Sequence, residues 1–409
     1  MTMEAAQQAD ARALLSTIAD DANRGERGRV AILGSMNADY TVRVERLPQP
    51  GETVPAGPMV ILPGGKSGNQ SAAAARIGAN VHLFGALGDD DNAEMLAGRL
   101  ADAGVDTSGL MRVPGPSGST VITVDAHGEN TIAYSAGANA HVDAAYARRA
   151  VSALVGDTRG DAGADDAHDT AGGTADATGE AAAGAAGEAA GDARGDTQKN
   201  AGKPLVAGLC LESPMDAVIA FSQAMHQAGA TVLLNDSPFR ALPAELVENV
   251  DVLLVNEHEL ADLLNAGESA DAAGTEAADA VDAAGDAASG SESAAAAVAV
   301  PDSTDVAAWQ SIARRLHDAG FARAIVTLGG DGSVVLDRDV ITPVPAVPVK
   351  AVDTTGCGDA FMGGVLAGLA AGLELADAAR AAALVAAYAA TGEGAQNSYG
   401  TAAAILAAL

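Results

Sequence analysis

Apolar and polar positions follow two periods along this chain, and these periods predict strands and helices in alternation. Short apolar runs such as residues 30–33, which end at Gly34, are typical of buried strands. In MDAVIAFSQAMHQAG and DVAAWQSIARRLHDAG, apolar residues recur on one helical face and a glycine follows, as at a helix end. Strands that alternate with helices predict an α/β fold, with a parallel sheet covered by helices on both faces.

One segment does not fit the α/β alternation. STVITVDAHGENTIAYS contains two β-branched runs with a period of two on either side of AHGEN, and this pattern predicts a β-hairpin. Because the hairpin lies between α/β units without being one, we expect it to belong to a separate small sheet.

Three segments lie outside the predicted core. Residues 1–28 are interpreted as a polar extension with a helix over residues 11–18. Residues 157–199 and 266–305 consist almost entirely of Ala, Gly, Asp, Glu, Ser and Thr, without the large apolar side chains that offset ordering entropy. We expect both to be solvated, disordered inserts in a domain that spans residues 29–409. A helix in the first insert and a partner-binding role for both are the weaker alternatives.

Composition narrows the possible functions. The chain has 409 residues with a net charge of −31, and its 23 basic against 54 acidic residues exclude a nucleic-acid binder. The two inserts carry −16 of this charge, so the total says little about the active site. We expect neither secretion nor a membrane span, because the N-terminus has no apolar signal region and no run of about 18 apolar residues occurs. The two cysteines, Cys210 and Cys357, form no disulfide framework and fit a reducing cytoplasm.

Polar residues follow the predicted strands at the same end. Ligands of parallel α/β sheets bind at the carboxyl ends of the strands. The polar groups at these ends are NAD (37–39), ES (212–213), ND (235–236), NE (256–257) and TLGGDG (327–332). This repeated placement is the first indication of a binding site.

Two glycine-rich segments add to that site, although each is weak alone. GGKSGNQSAAAARIG allows close backbone approach and offers Asn69 just before a helix, but it also fits a flexible turn with a cap. TLGGDG can lie flat against a nucleotide or form a plain hairpin turn into SVVL.

The segment DTTGCGDAFMGG is more specific. It places Gly356, Cys357 and Gly358 before a helix that we expect to begin near Asp359, where unpaired backbone N–H groups favour a bound anion such as phosphate. Asp359 also fits a plain helix cap. A carboxylate beside an anion site is useful when it takes the proton from a hydroxyl that attacks the phosphate, which is phosphoryl transfer with a general base.

These motifs together resemble those of the PfkB carbohydrate kinases, and among them most closely the ribokinases. The chain has no P-loop, no protein-kinase motif set and no dinucleotide fingerprint. GGKSGNQSAAAARIG is similar to the family's first signature and DTTGCGDAFMGG to its second. GSMNAD, LES, NEHE, TLGGDG and GEGAQNS take the family's order around them. The resemblance extends from about residue 30 to the end, apart from the two inserts.

The resemblance implies a ribokinase-like three-layer sandwich with a mainly parallel central sheet. It also implies a small β-sheet lid, formed by about residues 39–62 and 119–136, through which two copies would form a homodimer. The implied activity is ATP-dependent phosphorylation of the primary hydroxyl of D-ribose to ribose 5-phosphate, with Mg²⁺ and a monovalent cation, K⁺. Lid closure would exclude water, which competes with the sugar for the γ-phosphate.

The family's residue roles carry over position by position. The implied sugar-binding residues are Asn37, Ala38, Asp39, Gly65, Lys66, Ser67, Gly68, Asn69, Glu212 and Asp359. The implied ATP-binding residues are Asn256, Thr327, Leu328, Gly329, Gly330, Asp331, Gly332, Gly358 and Asp359. Gly356, Cys357 and Gly358 would form the anion hole, with Asp359 as the general base and Glu259 beside the magnesium ion. The implied residues of the monovalent-cation site are Asp353, Thr355, Ala389, Gly392, Gly394 and Ser398.

The chain also departs from the family's pattern at two places. Cys357 takes the position of a small residue, and a plain spacer role is the favoured interpretation; the alternative is a thiol whose pKa is lowered by the helix N-terminus and which is sensitive to oxidation. Gly392 and Glu393 stand where many ribokinases have basic residues. Two further functions remain open: a sibling kinase for deoxyribose, fructose, adenosine or pseudouridine, and a non-catalytic sugar-binding regulator.

Overall fold

The computed structural model describes residues 3–24, 28–156, 203–276 and 300–409. In these residues nine strands form one large sheet. They are β1 (Arg29–Leu33), β4 (Asn80–Leu87), β5 (Leu110–Arg112), β8 (Leu205–Cys210), β9 (Thr231–Asn235), β10 (Val252–Asn256), β11 (Arg323–Thr327), β12 (Ser333–Asp337) and β13 (Val340–Val344).

The large sheet is mainly parallel, as predicted. Its strand order is β13-β12-β11-β10-β9-β8-β1-β4-β5, and the strands from β11 to β5 all pair in parallel. Strand β12 pairs antiparallel with β11, and β13 pairs antiparallel with β12, so these two strands form an antiparallel edge of the sheet. The carboxyl ends of the parallel strands therefore meet at one edge of the sheet, where the polar residues were expected.

Helices cover both faces of the sheet, so the predicted three-layer sandwich is confirmed. One face carries α1 (Met3–Arg24), α2 (Lys66–Arg76), α3 (Asp91–Asp102), α9 (Cys357–Ala370), α10 (Leu375–Ala389) and α12 (Ala402–Ala408). The other carries α4 (Ala144–Val155), α5 (Met215–Gln227), α6 (Ala244–Val247), α7 (Glu257–Glu276) and α8 (Val306–Asp318). Strand β1 shows why its sequence is apolar throughout: Val30 and Ile32 pack in the first core, and Ala31 and Leu33 in the second.

The N-terminal helix is longer than the sequence predicted and belongs to the folded domain. The expected helix covered residues 11–18 of a polar extension, whereas α1 spans Met3–Arg24. Ala11, Leu15 and Ile18 lie on one face of α1 and are buried in the core that it shares with α9, α10 and α12. Their spacing of four and three residues is the helical repeat that allows this burial.

A second, four-stranded sheet stands apart from the first, and its hairpin is the one predicted. Its strands are β2 (Asn37–Arg43), β3 (Val60–Gly64), β6 (Gly118–Val124) and β7 (Asn130–Ser135), in the order β3-β2-β6-β7. Strand β2 follows β1 after three residues, so the small sheet begins directly at the carboxyl edge of the large one. This connection places the two sheets on either side of the candidate site.

The two acidic inserts lie largely outside the described residues. The first, residues 157–199, lies wholly outside them. The second, residues 266–305, is described at both ends, and α7 continues as a helix through its first part to Glu276, where the sequence predicted a loop. In the described residues, we find no helix with the length and apolarity required to cross a membrane.

Candidate active site

The site is built where two helices on the same face of the sheet touch. Helix α2 begins at Lys66 and α9 begins at Cys357, two residues before its predicted start, which places Asp359 in the first turn. The helices approach closely at Gly363, where a Cβ atom would lie 2.7 Å from the Gln70 carbonyl oxygen. This close approach brings side chains of α2 within reach of Asp359.

Two amide side chains of α2 hold the Asp359 carboxyl. Asn69 Nδ2 donates to Asp359 Oδ2 at 2.9 Å, and Gln70 Nε2 donates to Oδ1 at 3.1 Å. Gln396 Nε2 in turn donates to Asn69 Oδ1 at 3.1 Å, which fixes the orientation of that amide. Both carboxyl oxygens therefore accept a hydrogen bond, and the group is held in one orientation.

Opposing effects act on the pKa of Asp359. Burial raises it, the charge of Lys66 and the hydrogen bonds from Asn69 and Gln70 lower it, and the charge of Glu212 raises it; the net pKa is above its ordinary value. Burial also lowers the pKa of Lys66, but the charges of Asp359 and Glu212 outweigh it, so the ammonium has a raised pKa and stays protonated. The site thus combines a proton acceptor with a fixed positive charge.

The predicted sugar-binding residues gather beside this carboxyl. Glu212, just after β8, accepts hydrogen bonds from the Ser35 hydroxyl and, at 3.1 Å, from the Lys66 backbone N–H. Asn37, at the start of β2, accepts from Asn139 Nδ2 at 2.8 Å. These bonds occupy one carboxylate oxygen of Glu212 and the side-chain oxygen of Asn37. They orient both side chains at the junction of the two sheets.

Asp39 lies on β2 in the small sheet, close enough to Glu212 and Asp359 for their charges to act on it. Its carboxyl accepts a 2.6 Å hydrogen bond from Thr120, its neighbour on β6. Gly64 on β3 leaves room for this carboxyl, because a Cβ atom at that position would clash with it. Burial first, with the charges of Glu212 and Asp359, raises the pKa of Asp39, and the hydrogen bond from Thr120 lowers it; the net pKa is about 6. Asp39 therefore titrates near neutral pH.

The predicted anion hole has three amides that are not equivalent. Gly356 caps α9 in the left-handed conformation, with φ of 76°, which favours glycine. The Cys357 N–H donates to the Thr354 carbonyl at 3.2 Å, whereas we find no acceptor among the described residues for the N–H of exposed Gly358. The N–H of Gly356 likewise has no acceptor among these residues, but Gly356 is half-buried, so the exposed Gly358 amide is the better placed of the two to receive an anion at the helix N-terminus.

A cavity of about 530 Å³ opens beside this turn. It is lined by five of the predicted ATP-binding residues: Thr327, Gly329, Gly330, Gly332 and Gly358. Val347, Phe361 and Ala390 supply apolar walls. A cavity with a glycine-rich edge, apolar walls and a helix N-terminus at one end suits a nucleotide whose phosphates point toward Asp359.

Comparison with known proteins now decides the family. The model of the pfkB family carbohydrate kinases matches residues 27–156 and 199–402, which is most of the chain. The chain belongs to the pfkB family. The match leaves out residues 157–198, nearly the whole of the first acidic insert.

Curated relatives from this family are ribokinases and a deoxyribokinase. The chain is 29% identical to the ribokinase of Schizosaccharomyces pombe, over 90% of this chain and 94% of that protein. It is 27% identical to the ribokinase of Haemophilus influenzae, over 92% and 96%. It is also 27% identical to the deoxyribokinase of Salmonella typhi, over 90% and 95%.

Solved structures share the fold. The Arabidopsis thaliana ribokinase complexed with ribose and ATP aligns with a TM-score of 0.66 at 23% identity, over 93% of this chain and 98% of that one. The Cryptococcus neoformans ribokinase with ADP aligns with a TM-score of 0.64 at 25% identity, over 93% and 100%. A nucleoside kinase from Burkholderia thailandensis, in complex with inosine, aligns at 0.58 and 20% identity, over 92% and 95%. Like other pfkB kinases, this protein is therefore a ribokinase-type phosphotransferase with an alcohol acceptor, and it uses ATP.

The six residues expected at the pfkB monovalent-cation site form one cluster. Asp353 accepts backbone hydrogen bonds from Thr355 and Gly394, both at 2.9 Å. Gly392 donates to the Ala389 carbonyl at 3.2 Å and packs against Ser398. The short helix α11 (Ala395–Ser398) closes the loop. These residues lie together in the structure, and their role as ligands of a cation stays a prediction.

Some of the predicted ATP-binding residues, and Cys357, differ in the structure from what their predicted roles require. Asn256 accepts the N–H groups of His258 and Glu259 through its side chain, so in this structure it caps α7. Leu328 is buried, and neither it nor Asn256 or Asp331 lines the nucleotide cavity. The alternative of a lowered pKa for Cys357 was wrong: burial, together with the charges of Asp353 and Asp359, raises the pKa of its thiol to about 11.

The structure adds residues that the sequence analysis missed. Each touches a predicted site residue from a distant segment: Gln70 and Gln396 around Asp359, Thr120 at Asp39, Asn139 at Asn37, and Tyr399 at Gly356. Gln70 and Gln396 lie within motifs already quoted, so their polarity was a usable signal. The other three have no local pattern that distinguishes them from ordinary strand and loop residues.

Proposed function

We propose that this chain transfers the γ-phosphoryl group of ATP to the primary hydroxyl of D-ribose and forms ribose 5-phosphate. The observation that carries the proposal is the position of Asp359. Its carboxyl is held by Asn69 and Gln70 between a hydroxyl-binding pocket and the free amide of Gly358. The ribokinase relatives support ribose as the acceptor.

The reaction uses these residues in order. Ribose binds through Asn37, Asp39, Lys66, Asn69 and Glu212, which turn its primary hydroxyl toward Asp359. Asp359 takes the hydroxyl proton as the oxygen attacks the γ-phosphorus, and the bond to the bridging oxygen breaks to release ADP. The Gly358 amide and the Lys66 ammonium stabilise the charge that develops on the transferred group.

The donor set near the nucleotide cavity fits magnesium carried by ATP. Among the described residues we find no cluster of three acidic, histidine or cysteine side chains that could hold a metal by itself. Mg²⁺ in kinases is held by phosphates, water and one or two carboxylates, and Glu259 supplies a single buried carboxylate. When bound, the ion neutralises phosphate charge; Glu259 would hold it through water or directly.

The loop cluster around Asp353 fits a monovalent cation. Hydrogen bonds from Thr355 and Gly394 hold the Asp353 carboxyl at the loop. Burial raises the pKa of Asp353, but these bonds lower it more, so the carboxyl stays ionised. Backbone carbonyls supply the remaining oxygen ligands that a K⁺ ion needs. A bound cation would add positive charge next to the anion hole.

A sibling kinase for another sugar or a nucleoside is the second candidate, and the deoxyribokinase relative favours it. The polar side chains of Asn37, Asp39 and Glu212 suit a small sugar with several hydroxyls better than a nucleobase. One assay separates the candidates: ADP formation with ribose, deoxyribose, fructose, adenosine and pseudouridine, with and without K⁺. Ribose should give the highest kcat/KM. A higher value for another acceptor would reject ribose, and binding of ribose and ATP without turnover would indicate a regulator.

Sugar affinity is expected to depend on pH through Asp39. Its pKa is about 6, so the carboxylate that accepts sugar hydroxyls is present above this pH and is lost as the pH falls below it. The affinity for ribose should therefore fall about tenfold between about pH 7 and pH 5. Calorimetry in an Asp359→Asn background measures this without titration of the second carboxyl, and the loss of the Asp359 charge should move the midpoint of the change to lower pH.

The matched control adds Asp39→Asn to the same background. The double variant should bind ribose more weakly at pH 7 and show no change of affinity across this range. An unchanged pH dependence in the double variant would assign the titration to another group.

We also propose a homodimer through the small sheet. Ile61 and Val121 are exposed neighbours of Tyr40, on the face turned away from Asp39. Sedimentation velocity should show a dimer that Val121→Asp dissociates. Val340→Asp, an equally exposed position at the edge of the large sheet, should leave it intact. A monomer at all concentrations would contradict the proposal.

A further inference from the structure

Tyr399 is a buried tyrosine at the back of the phosphate-binding turn. It follows α11 directly and is 4% exposed. Its hydroxyl donates a 2.9 Å hydrogen bond to the Gly356 carbonyl. Burial raises the pKa of Tyr399 well above its usual value, so the hydroxyl remains protonated and can act as a donor at any working pH.

The carbonyl that Tyr399 contacts lies at the N-terminus of α9. It belongs to the cap residue of α9 and also accepts the first helical bond, from the Ala360 N–H at 2.9 Å. A peptide unit is planar, so fixing the Gly356 carbonyl also fixes the plane of the next amide and the start of the helix. The free Gly358 N–H and the Asp359 carboxyl both lie within that first turn.

Gly356 is enclosed from the same side. A Cβ atom on it would lie 2.5 Å from the Ala395 Cβ and 2.6 Å from the Tyr399 hydroxyl oxygen. The backbone carbonyl of Tyr399 accepts a hydrogen bond from Arg76, at the end of α2. Tyr399 therefore connects the helix that carries Lys66 and Asn69 to the turn that carries the phosphate-binding amides.

We propose that Tyr399 is a positioning residue for phosphoryl transfer, whose hydroxyl holds the Gly356 peptide so that the Gly358 amide meets the transferred phosphate. The inference rests on the proposed role of this turn as the anion hole. We expect the effect on the transition state to exceed that on the ground state, because the Tyr399 hydroxyl donates to the Gly356 carbonyl and Tyr399 does not line the nucleotide cavity.

The test is Tyr399→Phe, which removes only the hydroxyl. We expect kcat to fall about 5- to 10-fold, as for loss of one hydrogen bond, with the KM values for sugar and ATP within about twofold of wild type. Affinity for ADP with aluminium fluoride, which imitates the transferring phosphoryl group, should fall by a similar factor. Affinity for ADP alone should not change.

Tyr388→Phe is the matched control. Tyr388 is a partly buried tyrosine on α10 whose ring packs on Gly400, and among the described residues we find no hydrogen bond from its hydroxyl to the turn. This variant should keep wild-type kcat and the same affinity for the fluoride complex. Equal losses in both variants would indicate general loosening and overturn the proposal.

Two further outcomes are decisive. An unchanged kcat and unchanged fluoride-complex affinity in Tyr399→Phe would refute the positioning role, even if the melting temperature fell. Absence of turnover by the wild-type protein with every acceptor would instead reject the proposed function. In that case the affinities of the wild type and of Tyr399→Phe for ADP with aluminium fluoride would still test whether Tyr399 positions the phosphate-binding turn.

Discussion

Replacement of Asp359 by Asn is expected to lower kcat by about 10²- to 10⁴-fold, the usual contribution of a positioned general base. The amide cannot take the hydroxyl proton, whereas its shape matches the carboxyl. The fold should tolerate the change, because Gln70 Oε1 has no partner in the described residues and a flipped Gln70 amide can accept the new N–H.

Steady-state kinetics and calorimetry together check this prediction. Ribose and ATP should bind with affinities within a few-fold of wild type, which separates loss of the base from loss of the pocket. Asp102→Asn, at an exposed helix end, is the control and should be fully active. A rate for Asp359→Asn within threefold of wild type would show that another group accepts the proton.

Much of the large sheet could be predicted because its strands are buried on both faces. A strand such as β1 then consists of a short, wholly apolar run, and glycines mark the turns. The polar residues at the strand ends could also be predicted, since parallel strands bring their carboxyl ends to one edge whatever their order. Glu212, which follows β8, lies there for this reason, whereas Asp39 stands on β2 of the small sheet and Asp359 in the first turn of α9.

The supporting contacts could not be predicted because they depend on which helices become neighbours. Asn69 and Asp359 are 290 residues apart, and their bond requires the close approach of α2 and α9 at Gly363. The same limit hid Tyr399, which acts on Gly356 through the loop after α10. The possible lowered pKa of Cys357 was wrong for a different reason. The helix N-terminus favours a thiolate, but burial and two nearby carboxyls oppose the thiolate more strongly.

Removal of the Lys66 charge is expected to act on both the proton transfer and the phosphate. Lys66→Met keeps the aliphatic stem and the backbone N–H that binds Glu212, and it deletes the ammonium. At neutral pH kcat should fall by roughly 10²-fold, comparable to the loss of one oxyanion donor. Lys66→Arg, which keeps the charge, should retain more activity than Lys66→Met.

The pH profile of kcat separates the two effects of Lys66. Asp359 is active when deprotonated, so activity rises as the pH increases through its pKa. The Lys66 charge lowers that pKa, and its removal should move the acidic limb of the profile to higher pH. Above the new limb, any remaining deficit reports the lost stabilisation of the phosphoryl group. An acidic limb at the wild-type position would show that Lys66 acts on the phosphate alone, and a shift to lower pH would contradict the electrostatic account of this site.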